Sequence, residues 1–163
     1  MRVPISTLAL ALSLTGTAVA EKLHIRRHQV NDCFYCCTGT LGVVVFGDAP
    51  VDATYYAKMA ESNSFMTSIA ACVDHYCKPD AVQYQGALAG WEKYIGYALE
   101  YGPNVVMPSY EETEAKLPPA SEIKEVDVYS LTVKDTINGT ILPTQANYDL
   151  YMRTLVRPPA RDA

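Results

Sequence analysis

Five cysteines are the residues in this chain best suited to chemistry, and all of them lie between Cys33 and Cys77. Three stand in Cys33-Phe34-Tyr35-Cys36-Cys37 and two in Cys72-Val73-Asp74-His75-Tyr76-Cys77. Thiols so spaced make disulfides in an oxidising compartment or soft-metal sites in a reducing one. Cys36 and Cys37 with His75 form the set that copper or iron would use. His24 and His28 stand four apart and would share one face of a helix, but two ligands do not make a metal site. With His75 they are the minor metal candidates, and no metal is assigned.

The amino terminus decides between the two chemistries. Met1-Arg2 is a positive start, Leu8 to Leu14 is an apolar core, and Ala18-Val19-Ala20 is a small-x-small cleavage site. This pattern predicts a secretory signal peptide over 1–20, cut before Glu21. Export favours disulfides over free thiolates. On an unbroken helix Cys72 and Cys77 would face well apart, so each is expected to reach one of Cys33, Cys36 and Cys37, leaving one of those three over. Each bridge would close a loop of roughly 35 to 45 residues and contribute on the order of 3–4 kcal/mol.

Other chemistry is not visible in the pattern. No Gly-x-Ser-x-Gly, phosphate-binding glycine loop or His-Glu-x-x-His occurs in the sequence. Glu111 with Glu114, and Glu122 with Asp127, have the spacing of paired carboxylates, but polar loops produce such pairs by solvation alone. No catalytic residue is assigned. The chain carries 13 basic and 18 acidic residues, a net charge of −5. Loss of Arg2 with the leader makes the remainder one unit more negative. Such a chain repels nucleic acid and anionic lipid at long range.

The elements that must position the cysteines follow from periodicity. The stretch from Leu41 to Phe46 suits a short buried strand or extended segment, broken by Gly47-Asp48-Ala49-Pro50. A first main helix is expected from an N-cap near Asp52, with Met59, Met66, Ile69, Val73 and Tyr76 on its core face. A second is expected from Lys78-Pro79-Asp80 to Gly102-Pro103, burying Tyr84, Leu88, Trp91, Ile95 and Leu99. Gly86 and Gly90 either let the first helix approach closely or merely weaken the second. The acidic, proline-bearing stretch after Met107-Pro108 reads as a linker or surface loop. Val126 to Val133 alternates like a strand. Asn138-Gly139 is a hairpin signal and, with Thr140, a glycosylation sequon. Pro143-Thr144 would cap a last helix carrying Tyr148, Met152 and Leu155.

The expected fold is therefore mainly α, a small disulfide-stapled helical domain with two main helices. A Pro- and acid-rich tail follows, with a short hairpin and a terminal helix. The expected boundaries are 1–20 for the signal peptide, 21–103 for the Cys-rich helical domain and 104–125 for the linker. The interval 126–163 would hold the hairpin, the short helix and a disordered end.

The order of these features resembles the extracellular N-terminal region of the fungal ferric-chelate reductases, the transmembrane component of reductive iron uptake. The residues that carry the resemblance begin with Asp32-Cys33-Phe34-Tyr35-Cys36-Cys37, Leu41-Gly42 and Phe46. They continue with Tyr55-Tyr56, Cys72-x4-Cys77, the acidic segment after Pro108-Ser109-Tyr110, and Leu142-Pro143-Thr144-Gln145-Ala146 with Tyr148. The resemblance implies an extracellular domain preceding a membrane bundle with two haems, followed by cytosolic FAD and NADPH modules, at the plasma membrane. It implies that this chain stops short of the membrane domain and holds none of those cofactors. It also implies that Cys33, Cys37, Cys72 and Cys77 are the bridged cysteines and Cys36 an extra one. Two cysteines that the family tends to carry, near Met59-Ala60 and near the end of the second helix, are missing here. The competing expectation is an independent, small, secreted cysteine-rich protein that acts by binding.

Overall fold

The computed structural model describes residues 32–50, 60–101 and 106–155, all within one unit, His28–Arg157. The architecture is mainly helical, with few and short strands. Its centre is helix α1, Asp32–Leu41, almost every residue of which is buried. The sequence there shows no helical period because no face is left to solvent. Cys33 and Cys37 face one neighbour, Phe34 a second and Cys36 a third. The cysteine-rich start, to which periodicity assigned no element, is thus a helix packed on several sides.

Strand β1, Val45–Phe46, follows after a turn and is shorter than the expected Leu41–Phe46 run. Helix α2 spans Asn63–Cys72 and continues as a π-helical turn over Val73–Cys77. Its described start is fixed by Ser62, whose hydroxyl accepts from Phe65 N at 3.0 Å and donates to Asp48 Oδ1 at 2.6 Å. The other Asp48 oxygen accepts from Ser64 N at 2.8 Å. The start expected near Asp52, and Met59, lie outside the described residues.

Helix α3, Ala81–Tyr101, begins where Asp80 Oδ1 accepts from the backbone of Val82 and Gln83. Its buried residues include Ala87, Trp91, Tyr94 and Ala98, while Leu99 is 53% exposed. The expected stripe ending at Leu99 is therefore rotated. The cause is close packing: a Cβ on Gly90 would stand 2.8 Å from the Phe34 ring. The small-residue face of α3 meets α1, and the bulkier Tyr84, Leu88 and Ile95 sit at its margin. Gly90 does admit a helix, but that helix is α1.

The acidic stretch is not purely a solvated linker. Met107, Tyr110 and Thr113 are buried, and helix α4, Tyr110–Glu114, starts in a capping box between Ser109 and Glu112. Trp91 Nε1 donates to Pro108 O at 3.1 Å, and the Tyr110 ring meets Trp91 edge-on at 5.3 Å. The glutamates Glu111 and Glu112 point outward, which is what made the segment look solvated.

Among the described residues four short strands form two parallel pairs rather than a hairpin. β1 pairs with β3, Thr136–Ile137, and β2, Lys124–Val126, pairs with β4, Ile141–Pro143. Asn138-Gly139 does turn the chain, with Gly139 at φ 107°, but it passes the chain from one pair to the other. The turn is held by α2: Ser64 Oγ accepts from Gly139 N at 3.1 Å and Ser68 Oγ from Ile141 N at 2.9 Å. The strand expected over Val126 to Val133 ends early in a 3-10 turn, Val128–Ser130, and Val133 is exposed. Helix α5, Gln145–Leu155, closes the domain, with Thr144 accepting from Asn147 N and Tyr148 N.

Candidate functional site: the cystine and tyrosine cluster on α1

Two disulfides join α1 to the end of α2 and its π-helical turn. Cys33 is bonded to Cys77 and Cys37 to Cys72, with Cα atoms 5.9 and 5.8 Å apart. The nested order makes the two segments antiparallel. Cys33 and Cys37 are four residues apart and share a face of α1. Cys72 and Cys77 are five apart, which on an α-helix would set them about 140° from each other. The π-helical turn absorbs the extra residue, with Lys78 N donating to Val73 O five residues back at 3.0 Å. That turn lets both cysteines reach the same partner helix.

Cys36 is the free cysteine among the described residues, and it is fully buried. Its thiol donates to Tyr148 O at 3.2 Å and lies 3.9 Å from Thr40 Oγ1. Burial pushes this thiol up to about 12, against a weaker lowering influence from Thr40. A thiol so held stays protonated and is a poor nucleophile or metal ligand. Cys37 is consumed by its bridge, so the Cys36–Cys37 thiolate pair that a soft metal would need does not form.

Two stacked tyrosines lie beside the Cys33–Cys77 bridge. Tyr148 donates its hydroxyl to Cys33 Sγ at 3.0 Å, and its ring stacks on Tyr76 at 4.1 Å and 16°. Tyr76 donates to Pro143 O at 2.7 Å. Burial first, and then the nearby Glu125 and Asp149 charges, push the Tyr76 phenol up to about 12. Burial likewise raises Tyr148. Both phenols are thus neutral donors that tie α5 and β4 to the bridged helices.

A polar strap runs beside this cluster. Asp74 Oδ1 accepts from the Tyr110 hydroxyl at 2.7 Å and from Lys78 Nζ at 3.0 Å, and Lys78 also reaches Glu114 at 2.8 Å. Burial, with Asp74 as acceptor, raises Tyr110; the Glu114 and Asp74 carboxylates raise the exposed Lys78. The strap joins the π-helical turn to α4. A cleft of about 630 Å³ opens on the other side of α4, with Met66, Val106 and Pro108 in its wall and Glu61 and Lys116 among its polar groups.

The remaining sequence candidates are scattered. His24 and His28 lie outside the described residues. His75 is exposed, its ring edge-on to Tyr76 at 4.6 Å. Among the described residues no cluster of histidine, cysteine and carboxylate side chains could hold a metal ion. Glu114 is paired with Lys78, and Asp127 accepts from Tyr129 N and Asn147 Nδ2, so each of these carboxylates is engaged by its own partners. Asn138 is exposed. Compared with family models, with curated proteins and with solved structures, the chain matches none. Among the described residues no helix is long and apolar enough to cross a membrane.

Sequence reasoning missed the stacked tyrosines and the Ser64, Thr67 and Ser68 stripe. The second had a signal: three hydroxyl side chains at i, i+3 and i+4 share one face of a helix whose other faces are apolar.

Proposed function

We propose that this chain is the extracellular N-terminal domain of a reductase of the fungal ferric-chelate type, and that its role is to form a rigid platform outside the plasma membrane. The observation that carries the reading is the bridging of Cys33, Cys37, Cys72 and Cys77, the cysteines through which the resemblance runs. Two disulfides fit a secreted domain, since such bonds persist in oxidising compartments. In this reading the haem, FAD and NADPH chemistry belongs to other segments of the reductase. The domain's own part is to present a metal chelate or a partner protein at the surface. The bridges lock α1 in the centre and leave the outer faces of α3, α4 and the strand pairs to make contact.

The second reading, a free-standing secreted binder, draws on the apolar-walled cleft at Met66, Val106 and Pro108. Transcript mapping in the source organism separates the two. The first reading expects coding sequence beyond Ala163 for apolar helices with spaced histidines, and a loss of cell-surface ferric reduction when the locus is deleted. An expressed transcript that stops at Ala163, with surface reduction unchanged by deletion, sinks it and leaves the binder.

A further inference from the structure

Of the five asparagines in the sequence, Asn138 alone is followed at the second position by serine or threonine, in Asn138-Gly139-Thr140. The fold places this triplet at the turn between β3 and β4. Asn138 is exposed, and among the described residues no hydrogen bond engages its carboxamide. The side chain leans over Gly47, where the missing Cβ makes room for it. Gly139 takes a φ of 107°, a left-handed conformation that glycine adopts without strain. The site therefore combines an exposed amide, an acceptor motif and a tight turn of the backbone.

We propose that Asn138 is an N-glycosylation site and that the sugar is attached before the 139–141 segment docks on α2. The inference rests on the extracellular half of the reading above and on nothing about iron. The amide nitrogen of Asn138 attacks the anomeric carbon of a lipid-linked oligosaccharyl pyrophosphate. A C–N bond forms, the bond from that carbon to the pyrophosphate oxygen breaks, and the pyrophosphate leaves with the electron pair. The amide proton passes to a base of the transferase. The order of events follows from Thr140. Its hydroxyl, which the acceptor motif requires, lies 2.7 Å from the Thr67 hydroxyl in the folded domain. Ser64 and Ser68 hold the backbone on either side of it. A transferase can read the threonine only while this segment is undocked. Once attached, the glycan stands just past the end of β3, on the turn to β4.

The full chain with its own leader is expressed in a eukaryotic secretory host, and cells and medium are examined by gel mobility and peptide mass before and after peptide-N-glycosidase. The expected result is a secreted product that shifts in one step, with the asparagine at 138 converted to aspartate. Asn138→Gln abolishes the shift, and Thr140→Ser, which keeps the hydroxyl, retains it. A secreted wild-type chain whose Asn138 is unmodified overturns the inference and leaves export standing. A chain found unglycosylated in the cytosol overturns both.

Discussion

At Cys36 a thiol is enclosed between Tyr148 O and the Thr40 hydroxyl, and burial lifts it to about 12. At pH 8 roughly one molecule in ten thousand would carry the thiolate, and even that one is shielded from reagents. Native protein exposed to iodoacetamide at pH 8 should therefore take up no label. Protein unfolded in guanidinium without reductant should take up one, at Cys36, by mass spectrometry. Asp48 makes a different case. Burial alone would raise its carboxyl, but hydrogen bonds from the Ser62 hydroxyl and the Ser64 backbone outweigh burial and hold it below the ordinary 3.8. A lowered folded value means that the contribution is fully present above 3.8 and is lost as the pH falls through that lower value. Asp48→Asn should cost on the order of 1 kcal/mol in urea unfolding at pH 7. The gap to wild type should close in acid, below pH 3.8. A gap that stays constant down to pH 2 would show that the carboxylate charge is irrelevant.

Among the elements, the π-helical turn and α3 were only half legible in the sequence. The cysteine spacing showed that Cys72 and Cys77 should seek partners elsewhere. It did not show how residues five apart could reach one helix, because a π-helical turn has no composition of its own. If the turn merely absorbs one residue, deleting exposed His75 should leave a four-residue spacing like that of Cys33 and Cys37. Both bridges should then still form, with stability changed by no more than about 1 kcal/mol. Mispaired cysteines in the deletion variant would contradict this account of the turn. On α3 the periodic large residues pointed to one face while packing chose another, because close approach to α1 favours small side chains. Gly90→Ala should therefore destabilise by about 1–2 kcal/mol through collision with Phe34, despite alanine's better helix propensity. Gly96→Ala meets nothing within 4 Å and should stabilise by up to about 1 kcal/mol. Thermal melts of the pair check both signs.

For the whole molecule, the sequence revealed the helical class, because long periodic segments survive tertiary context. It hid the centre of the fold. Helix α1 is covered by α2, α3 and α5, so Cys33-Phe34-Tyr35-Cys36-Cys37 has no amphipathic pattern to read. It also hid the strand pairing, since parallel partners such as Val45 and Thr136 lie too far apart in sequence for local turn chemistry to reveal them. The acidic stretch misled because a few buried side chains, Met107 and Tyr110 among them, outweigh its charge. What joins these distant pieces is the sulfur framework. Its loops span 44 and 35 residues. Each bridge contributes about 4 kcal/mol, against a total of about 5–15 kcal/mol for an ordinary domain. The central claim, that this framework and not a reactive thiol site organises the molecule, is tested most directly by a disulfide map. Peptide mass spectrometry of native, alkylated and unreduced protein should find Cys33 joined to Cys77, Cys37 joined to Cys72, and Cys36 reduced. Cys36 within a bridge, or the other four cysteines as free thiols, would contradict it.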